Sequence, residues 1–246
     1  MRSGSTSRRG SDELAVAGLS VLDDAGRQAA GAFLARCARL DRAALVRLRS
    51  APGGPADVAQ ADVARADVGP GDVSPALLWV RLPFGALVSC AVRAEAGFDV
   101  TVRVVDLLAA LATPVVALPQ RRDVEWRWSL PPGAGEEVDR LLAADVLRVG
   151  AAAAATMRTA IAEGVGGRAV GERALRDGLL DHVPFVVTTA GGDRVPVSQR
   201  LVQAVIRMGF MPDHDETPIG VRVVGRWVGL ATRFGTAWHR PPSALR

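Results

Sequence analysis

Residues 77–93 read LLWVRLPFGALVSCAVR, and this stretch decides the fold class. Two apolar runs, Leu77 to Leu82 and Ala86 to Arg93, stand on either side of Pro83-Phe84-Gly85. Proline and glycine favour a tight turn, and the valine-containing runs beside them favour extended chain. The stretch therefore predicts two neighbouring strands of an antiparallel sheet.

Further strand patterns and one helix surround this pair. ALVRLR at 44–49 and DVEWRWSL at 123–130 alternate apolar with charged residues, which predicts strands. FDVTVRVV at 98–105 predicts a strand or the approach to a short helix at 106–111. Before them, apolar residues recur at helical spacing over 25–40, with Asp24 as an N-cap. These patterns predict a small antiparallel sheet backed by an N-terminal helix.

A long central helix is predicted over 135–163. Its apolar residues are three or four positions apart: Val138, Leu142, Val146, Val149, Ala153, Met157 and Ala160. Gly164, Gly166 and Gly167 then end the helix. We therefore assign 135–167 to a linking helix.

The C-terminal residues 168–246 predict a separate module. Helices are expected over 171–180 and 198–208, and strands over 183–189, 221–230 and 235–239. The order helix, strand, helix and hairpin is typical of a winged-helix module or of a small α/β domain. The predicted fold class is thus α+β.

Two segments of the N-terminal half lie outside these patterns. Residues 1–13 are polar and basic, which predicts a disordered tail before an N-terminal α+β domain at 14–134. Residues 51–75 end in ADVAQ ADVAR ADVGP GDVSP, a five-residue period that resembles pentapeptide-repeat proteins. Four imperfect copies are too few to bury a core, so a flexible loop is the favoured interpretation.

Composition limits the function classes. The chain has 246 residues, of which 49% are hydrophobic and 23% are charged, which suits a folded core. All 30 basic residues are Arg, as in proteins of GC-rich genomes, so the choice of Arg over Lys indicates nothing at any one position. Residues 217–246 hold five Arg and no acid, a basic end that suits phosphate or an acidic partner.

The sequence favours a non-catalytic protein of the cytoplasm. Cys37 and Cys90 are too far apart for a disulfide framework or a zinc site. The sequence contains no export signal and no long apolar segment, so we predict no membrane partner. No phosphate-binding loop, dinucleotide-binding turn or nucleophile elbow occurs. His182, His214 and His239 are scattered, so we predict no catalytic residue, no metal ligand and no cofactor.

The predicted binding residues are basic or aromatic. Arg200, Gln203 and Arg207 share one face of the helix at 198–208, as the side chains that read purine edges in a DNA-binding helix do. A solvated helix face has the same pattern. Arg222 and Arg226 share a strand face beside Trp227, which suits nucleic acid or another anion.

Trp126 and Trp128 are a third candidate. They lie two apart in the strand predicted at 123–130 and so share one face. They are predicted to pack on the first helix, or to cover a partner site if that face is exposed.

Three runs resemble conserved hypothetical proteins of high-GC, actinobacterial-type bacteria: RAVGERALRDGLLDHVPFVVT, VPVSQRLVQAVIRMGF and VRVVGRWVGLATRFGTAW. No activity is known for such proteins, so the resemblance implies no functional residue. The leading hypothesis is a non-catalytic binding or regulatory protein that docks a protein or nucleic acid through its basic C-terminal module. The alternatives are a sequence-specific DNA-binding regulator, and an enzyme with a dispersed site that includes His182 and Asp181.

Overall fold

A computed structural model describes residues 24–50, 73–95, 99–113, 118–164 and 171–241. The predicted tail at 1–13 lies outside the described residues. So does the repeat loop as far as residue 72, whereas 73–75 begin a strand.

Five α-helices and ten strands make up the described chain. The helices are α1 (Asp24–Leu40), α2 (Val104–Leu111), α3 (Ala143–Glu163), α4 (Glu172–Asp181) and α5 (Gln199–Arg207). The strands are β1 (Leu45–Ser50), β2 (Val73–Arg81), β3 (Leu87–Glu95), β4 (Asp99–Arg103), β5 (Glu136–Leu142), β6 (Phe185–Thr188), β7 (Arg194–Val197), β8 (Pro218–Val224), β9 (Trp227–Thr232) and β10 (Gly235–His239).

Eight strands form one antiparallel sheet in the order β4-β1-β2-β3-β10-β9-β8-β5, and β6 and β7 form a separate hairpin. The predicted α+β class is confirmed, and the sheet is larger than the small one predicted because strands from both halves of the chain share it. The halves meet at the β3–β10 seam, where Ser89, Val88 and Leu87 lie opposite Thr236, Ala237 and Trp238.

Element order is mirrored on the two sides of this seam. On one side α1 leads into β1, β2 and β3, and on the other α5 leads into β8, β9 and β10. In each case the last of the three strands lies at the seam and the first is the furthest of the three from it. The outermost strands, β4 and β5, are each followed at once by a helix, α2 and α3.

One face of the sheet is covered by helices and forms the main core. Alternate strand residues such as Val46, Leu48 and Val88 are buried there, together with Leu34 of α1 and Leu201 of α5. The strand residues between them, such as Trp79 and Ser89, point to the opposite face and are also buried. The central strands therefore pack on both faces.

The opposite, helix-free face is covered by irregular chain. Trp79, Leu87 and Trp238 are buried there in a second cluster, against which Trp126 and Leu130 pack. Thus Trp126 does not pack on the first helix, because the sheet lies between them. In the described ranges, no helix is long and apolar enough to cross a bilayer.

The strand predicted at 123–130 is wrong. Residues Asp123–Glu125 form a single 3-10 turn, followed by irregular chain. The Asp123 carboxylate accepts a hydrogen bond from the Thr101 backbone N–H at 2.7 Å, and Arg122 N–H donates to the Thr101 carbonyl at 2.7 Å. These contacts occupy the outer edge of β4, so the segment ends the sheet there instead of adding a full strand.

The helix predicted from residue 135 begins only at Ala143. Residues Glu136–Leu142 form β5, which pairs with β8 and has a register shift between Glu137 and Asp139. Val138 and Leu142 have helical spacing but belong to β5, so the helix was predicted to begin too early. The remaining apolar residues of the predicted stripe, from Val146 to Ala160, do form the less exposed side of α3. The strand predicted at 221–230 is in fact β8 and β9, separated by a turn at Gly225 with φ +55°.

Gly235 is the residue at the seam that tolerates a side chain least. Its φ is +153°, and a Cβ there would lie 2.5 Å from both the Phe210 ring and the Ser89 carbonyl oxygen. We expect Gly235→Ala to lower the free energy of unfolding by about 2–4 kcal/mol, through strain and overpacking. Gly178→Ala in α4, where a Cβ meets nothing within 4 Å, is the control and should be neutral or gain up to about 1 kcal/mol.

Urea denaturation of the two variants measures this difference. Equal stability of Gly235→Ala and the parent protein would contradict the close approach of β10 to β3 and Phe210.

Candidate functional site

A cleft of about 520 Å³ lies where the β2–β3 turn meets the start of α5 and the end of β10. We call it the basic cleft. Four arginines, one histidine, one carboxylate and two indoles contribute to its walls: Arg81, Arg127, Arg200, Arg240, His239, Asp181, Trp128 and Trp227. Four guanidinium groups against a single carboxylate make the cleft strongly positive.

Arg81 and Arg200 come together beside Gly85. Arg200 Nη1 lies 3.4 Å, and Arg81 Nη2 3.7 Å, from the point that a Gly85 Cβ would occupy. Burial, and then the charge of Arg200, lower the pKa of Arg81 below its ordinary value. The fold thus holds two like charges close together at the mouth of the β2–β3 turn.

Arg200 is fixed by two hydrogen bonds and an ion pair. Its Nε and Nη2 lie 2.9 Å and 2.8 Å from one oxygen of Asp181, and its Nη1 donates to the Phe84 carbonyl. Asp181 is the last residue of α4, so this ion pair also ties α4 to the start of α5. Of the two residues that hold Arg200, Phe84 is far away in the sequence and Asp181 belongs to the preceding helix.

Two of the other three cleft arginines, Arg81 and Arg240, lie on aromatic rings. The Arg81 guanidinium is 5.4 Å from the Trp128 ring centroid, and the Arg240 guanidinium is 5.8 Å from that of Trp227. Arg127 is exposed at the rim. Within the described residues, Arg81, Arg127 and Arg240 form no ion pair with a carboxylate, so their charges are not neutralised.

Trp128 is held in position by Trp126. The two rings meet edge to face with centroids 5.2 Å apart, and Trp126 Nε1 donates to the Trp128 carbonyl at 2.7 Å. The two predicted partner-binding residues thus have different places: Trp128 lines the cleft, and Trp126 packs behind it on the helix-free face.

His239 is half-buried. Its Nδ1 lies 3.1 Å from the Ser198 hydroxyl. Burial, followed by the positive charge of Arg200, lowers the pKa of His239 to about 4, so its imidazole is neutral at pH 7. Because its hydroxyl faces His239, Ser198 makes no side-chain capping bond to α5.

The predicted nucleic-acid residues do not converge. Arg200 is in the basic cleft, whereas Arg207 donates to Gln203 at 3.3 Å further along α5. Arg222 lies on the helix-free face, bonded to the carbonyls of Ala134 and Gly135 at 3.3 Å and 3.4 Å. Arg226 lies in the β8–β9 turn and donates to the Pro241 carbonyl.

The histidines considered for chemistry are exposed and apart from the cleft walls. His182 follows Asp181 but does not line the cleft, and its backbone carbonyl accepts from Gln199 N–H. Beside His214, Asp213 pairs with Arg233. Among the described residues, no group of three or more His, Cys, Asp or Glu side chains converges as a metal site would require.

Sequence reasoning missed Arg81, Arg127, Arg240 and His239 as site residues. They belong to three separate segments, so no linear motif contains them. The one available signal was Arg81, a charge within the apolar run LLWVRL at the end of a hairpin strand.

Each half of the chain matches a different family of unknown function. Residues 14–128 match the model described as domain of unknown function DUF8010, and residues 130–244 match the one described as domain of unknown function DUF8185. No curated protein and no solved structure matches the chain. Both matched segments contribute to the basic cleft, which therefore forms only where the two are joined.

The low pKa of His239 predicts a pH-dependent stability. Its folded-state pKa of about 4 lies below the ordinary value of 6.5, so the unfolded chain takes up a proton that the folded protein does not. The stabilising effect of the neutral imidazole is fully present above pH 6.5 and is lost as the pH falls towards 4. We expect His239→Gln to flatten this part of the stability curve.

The measurement is the free energy of unfolding in urea between pH 7.5 and 4 for the parent protein and the variant. His214→Gln, which removes an exposed imidazole, is the control and should keep the parent's pH dependence. Parallel curves for His239→Gln and the parent would contradict the burial of a neutral imidazole.

Proposed function

We propose that this protein is a non-catalytic binding protein whose basic cleft holds a small organic anion bearing phosphate or carboxylate groups. The observation that carries the proposal is the pairing of Arg81 and Arg200 beside Gly85. Like charges held together cost free energy, which an anion bound between them would offset. Asp181 offsets only part of the positive charge of the cleft, because Arg81, Arg127 and Arg240 have no carboxylate partner in the described chain.

The size of the cleft supports a small ligand. A volume of about 520 Å³ lies within the roughly 300–1,000 Å³ typical of small-molecule sites. The guanidinium groups provide forked donors for oxyanions, and the Trp128 and Trp227 rings provide apolar walls. The favoured ligand therefore combines a multiply charged oxyanion with an apolar part.

A DNA-reading helix is less well supported. Helix α5 contacts α3, α4, β9 and β10, so little of its surface is free to enter a groove. Arg200 faces Asp181 and the Phe84 carbonyl, and Arg207 bonds to Gln203. These contacts use the side chains that a duplex reader would need.

An enzyme is also less well supported. His239 has a pKa of about 4, which makes it a weak base at neutral pH. The Ser198 hydroxyl beside it belongs to a side chain that is only 7% exposed and lies outside the cleft walls. Asp181 is bonded to Arg200, so these three residues do not form a nucleophile, base and orienting acid.

Calorimetric titration with pyrophosphate and with citrate at low salt tests the proposal. We expect binding of at least one of them, and a loss of roughly tenfold or more in affinity for Arg81→Gln and for Arg127→Gln, since charge-assisted hydrogen bonds contribute about 1.5–3 kcal/mol. Arg207→Gln on α5 is the matched control, because it lies outside the cleft, and it should bind as the parent does.

Two outcomes would overturn the proposal. One is the absence of binding to both anions at low salt. The other is tight duplex-DNA binding that Arg207→Gln abolishes and Arg127→Gln leaves unchanged, which would restore the helix-face interpretation.

A further inference from the structure

A second cavity, of about 300 Å³, lies on the helix-free face beneath residues 128–134. We call it the indole cavity, because the rings of Trp79, Trp128 and Trp238 line it. Trp79 and Trp238 come from β2 and β10, one on each side of the seam, and are almost fully buried. Only Trp128 and Ser129 are shared with the basic cleft.

Two buried hydroxyl groups lie at the level of the seam in the same face. Ser89, which lines the cavity, and Thr236 are cross-strand neighbours on β3 and β10, with exposed fractions of 1% and 0%. Neither hydroxyl oxygen has a hydrogen-bond partner in the described chain. Because a buried, unpaired hydroxyl costs about 1–3 kcal/mol, a polar atom that reached this pair would be strongly favoured.

The basic residues at the rim of the indole cavity are already engaged. Arg47 Nε and Nη2 lie 2.7 Å and 2.8 Å from the two oxygens of Asp99, and Arg49 lies 3.8 Å from the same carboxylate. Hydrogen bonding to Arg47 lowers the pKa of Asp99, so this carboxylate stays ionised and keeps the pair neutral. Two guanidinium groups against one carboxylate leave a single net positive charge at the rim of the indole cavity, less than the basic cleft carries.

We infer that the indole cavity is a second binding site, and that it takes an uncharged, flat heteroaromatic ring with polar atoms on one edge. The three indoles provide stacking and edge contacts for a flat ring. The Ser89 hydroxyl in the cavity wall, both a donor and an acceptor, provides a partner for the polar edge, and the unpaired Thr236 hydroxyl lies on the neighbouring strand beside it. The inference does not depend on an anion in the basic cleft.

The test uses adenine, uracil and indole as probes, with cyclohexanol as the non-planar comparison, in titrations followed by tryptophan fluorescence and calorimetry. We expect at least one of the flat heterocycles to bind with a Kd below about 1 mM, and cyclohexanol to bind at least tenfold more weakly. The double variant Ser89→Ala, Thr236→Val removes both hydroxyls and nearly preserves the side-chain shapes.

The double variant should lose tenfold or more of the ring affinity while its unfolding midpoint in urea stays the same or rises, because the free protein leaves both hydroxyls unpaired. Thr188→Val, which removes an exposed hydroxyl from β6, is the control and should not change ring binding. Pyrophosphate binding by the double variant should equal that of the parent, which separates this result from the test of the basic cleft.

Three results would overturn the inference. The first is that none of the flat rings binds below about 1 mM. The second is equal ring binding by the parent and the double variant. The third is a lower unfolding midpoint for the double variant, since that would mean that the two hydroxyls stabilise the protein by bonding to each other.

Discussion

The pairing of β3 with β10 is the contact on which both cavities depend. Three residue pairs at this seam join strands whose partners are about 150 positions apart, and they turn two four-stranded groups into one sheet. Trp79 and Trp238 meet across it on the helix-free face, and Arg81 and His239 follow on the same strands near the basic cleft. A chain that formed each half correctly and missed the seam would contain neither site.

The basic cleft shows how the fold can keep charges in an unfavourable arrangement. Asp181 and the Phe84 carbonyl orient Arg200, and the backbone of the β2–β3 turn places Arg81 beside it. Burial, and then the positive charge of Arg200, lower the pKa of Arg81. For the anion binding that we propose, such an arrangement is preorganised, because Arg81 and Arg200 are already held together.

The local spacing of apolar residues predicted most of the helices and strands, but not which strands pair when they are far apart in the sequence. The spacing of apolar residues predicts helices α1 and α5 and strands β1 to β3. Each of these elements has one side packed in the main core. Residues 136–142 were predicted as helix because Val138 and Leu142 suit either period when a strand lies at the edge of a sheet. The proximity of Arg81 and Arg200 could not be predicted, because no sequence pattern near either residue indicates that β3 pairs with β10.

The two outermost strands also have a consequence for association between molecules. The Thr101 backbone N–H and carbonyl of β4 are occupied by Asp123 and Arg122, and the register of β5 shifts between Glu137 and Asp139. Within the described residues, neither edge offers an unbroken row of backbone donors and acceptors to an incoming strand. Two such edges disfavour the edge-to-edge pairing by which sheets of separate molecules join, even though the interior strands are strongly apolar.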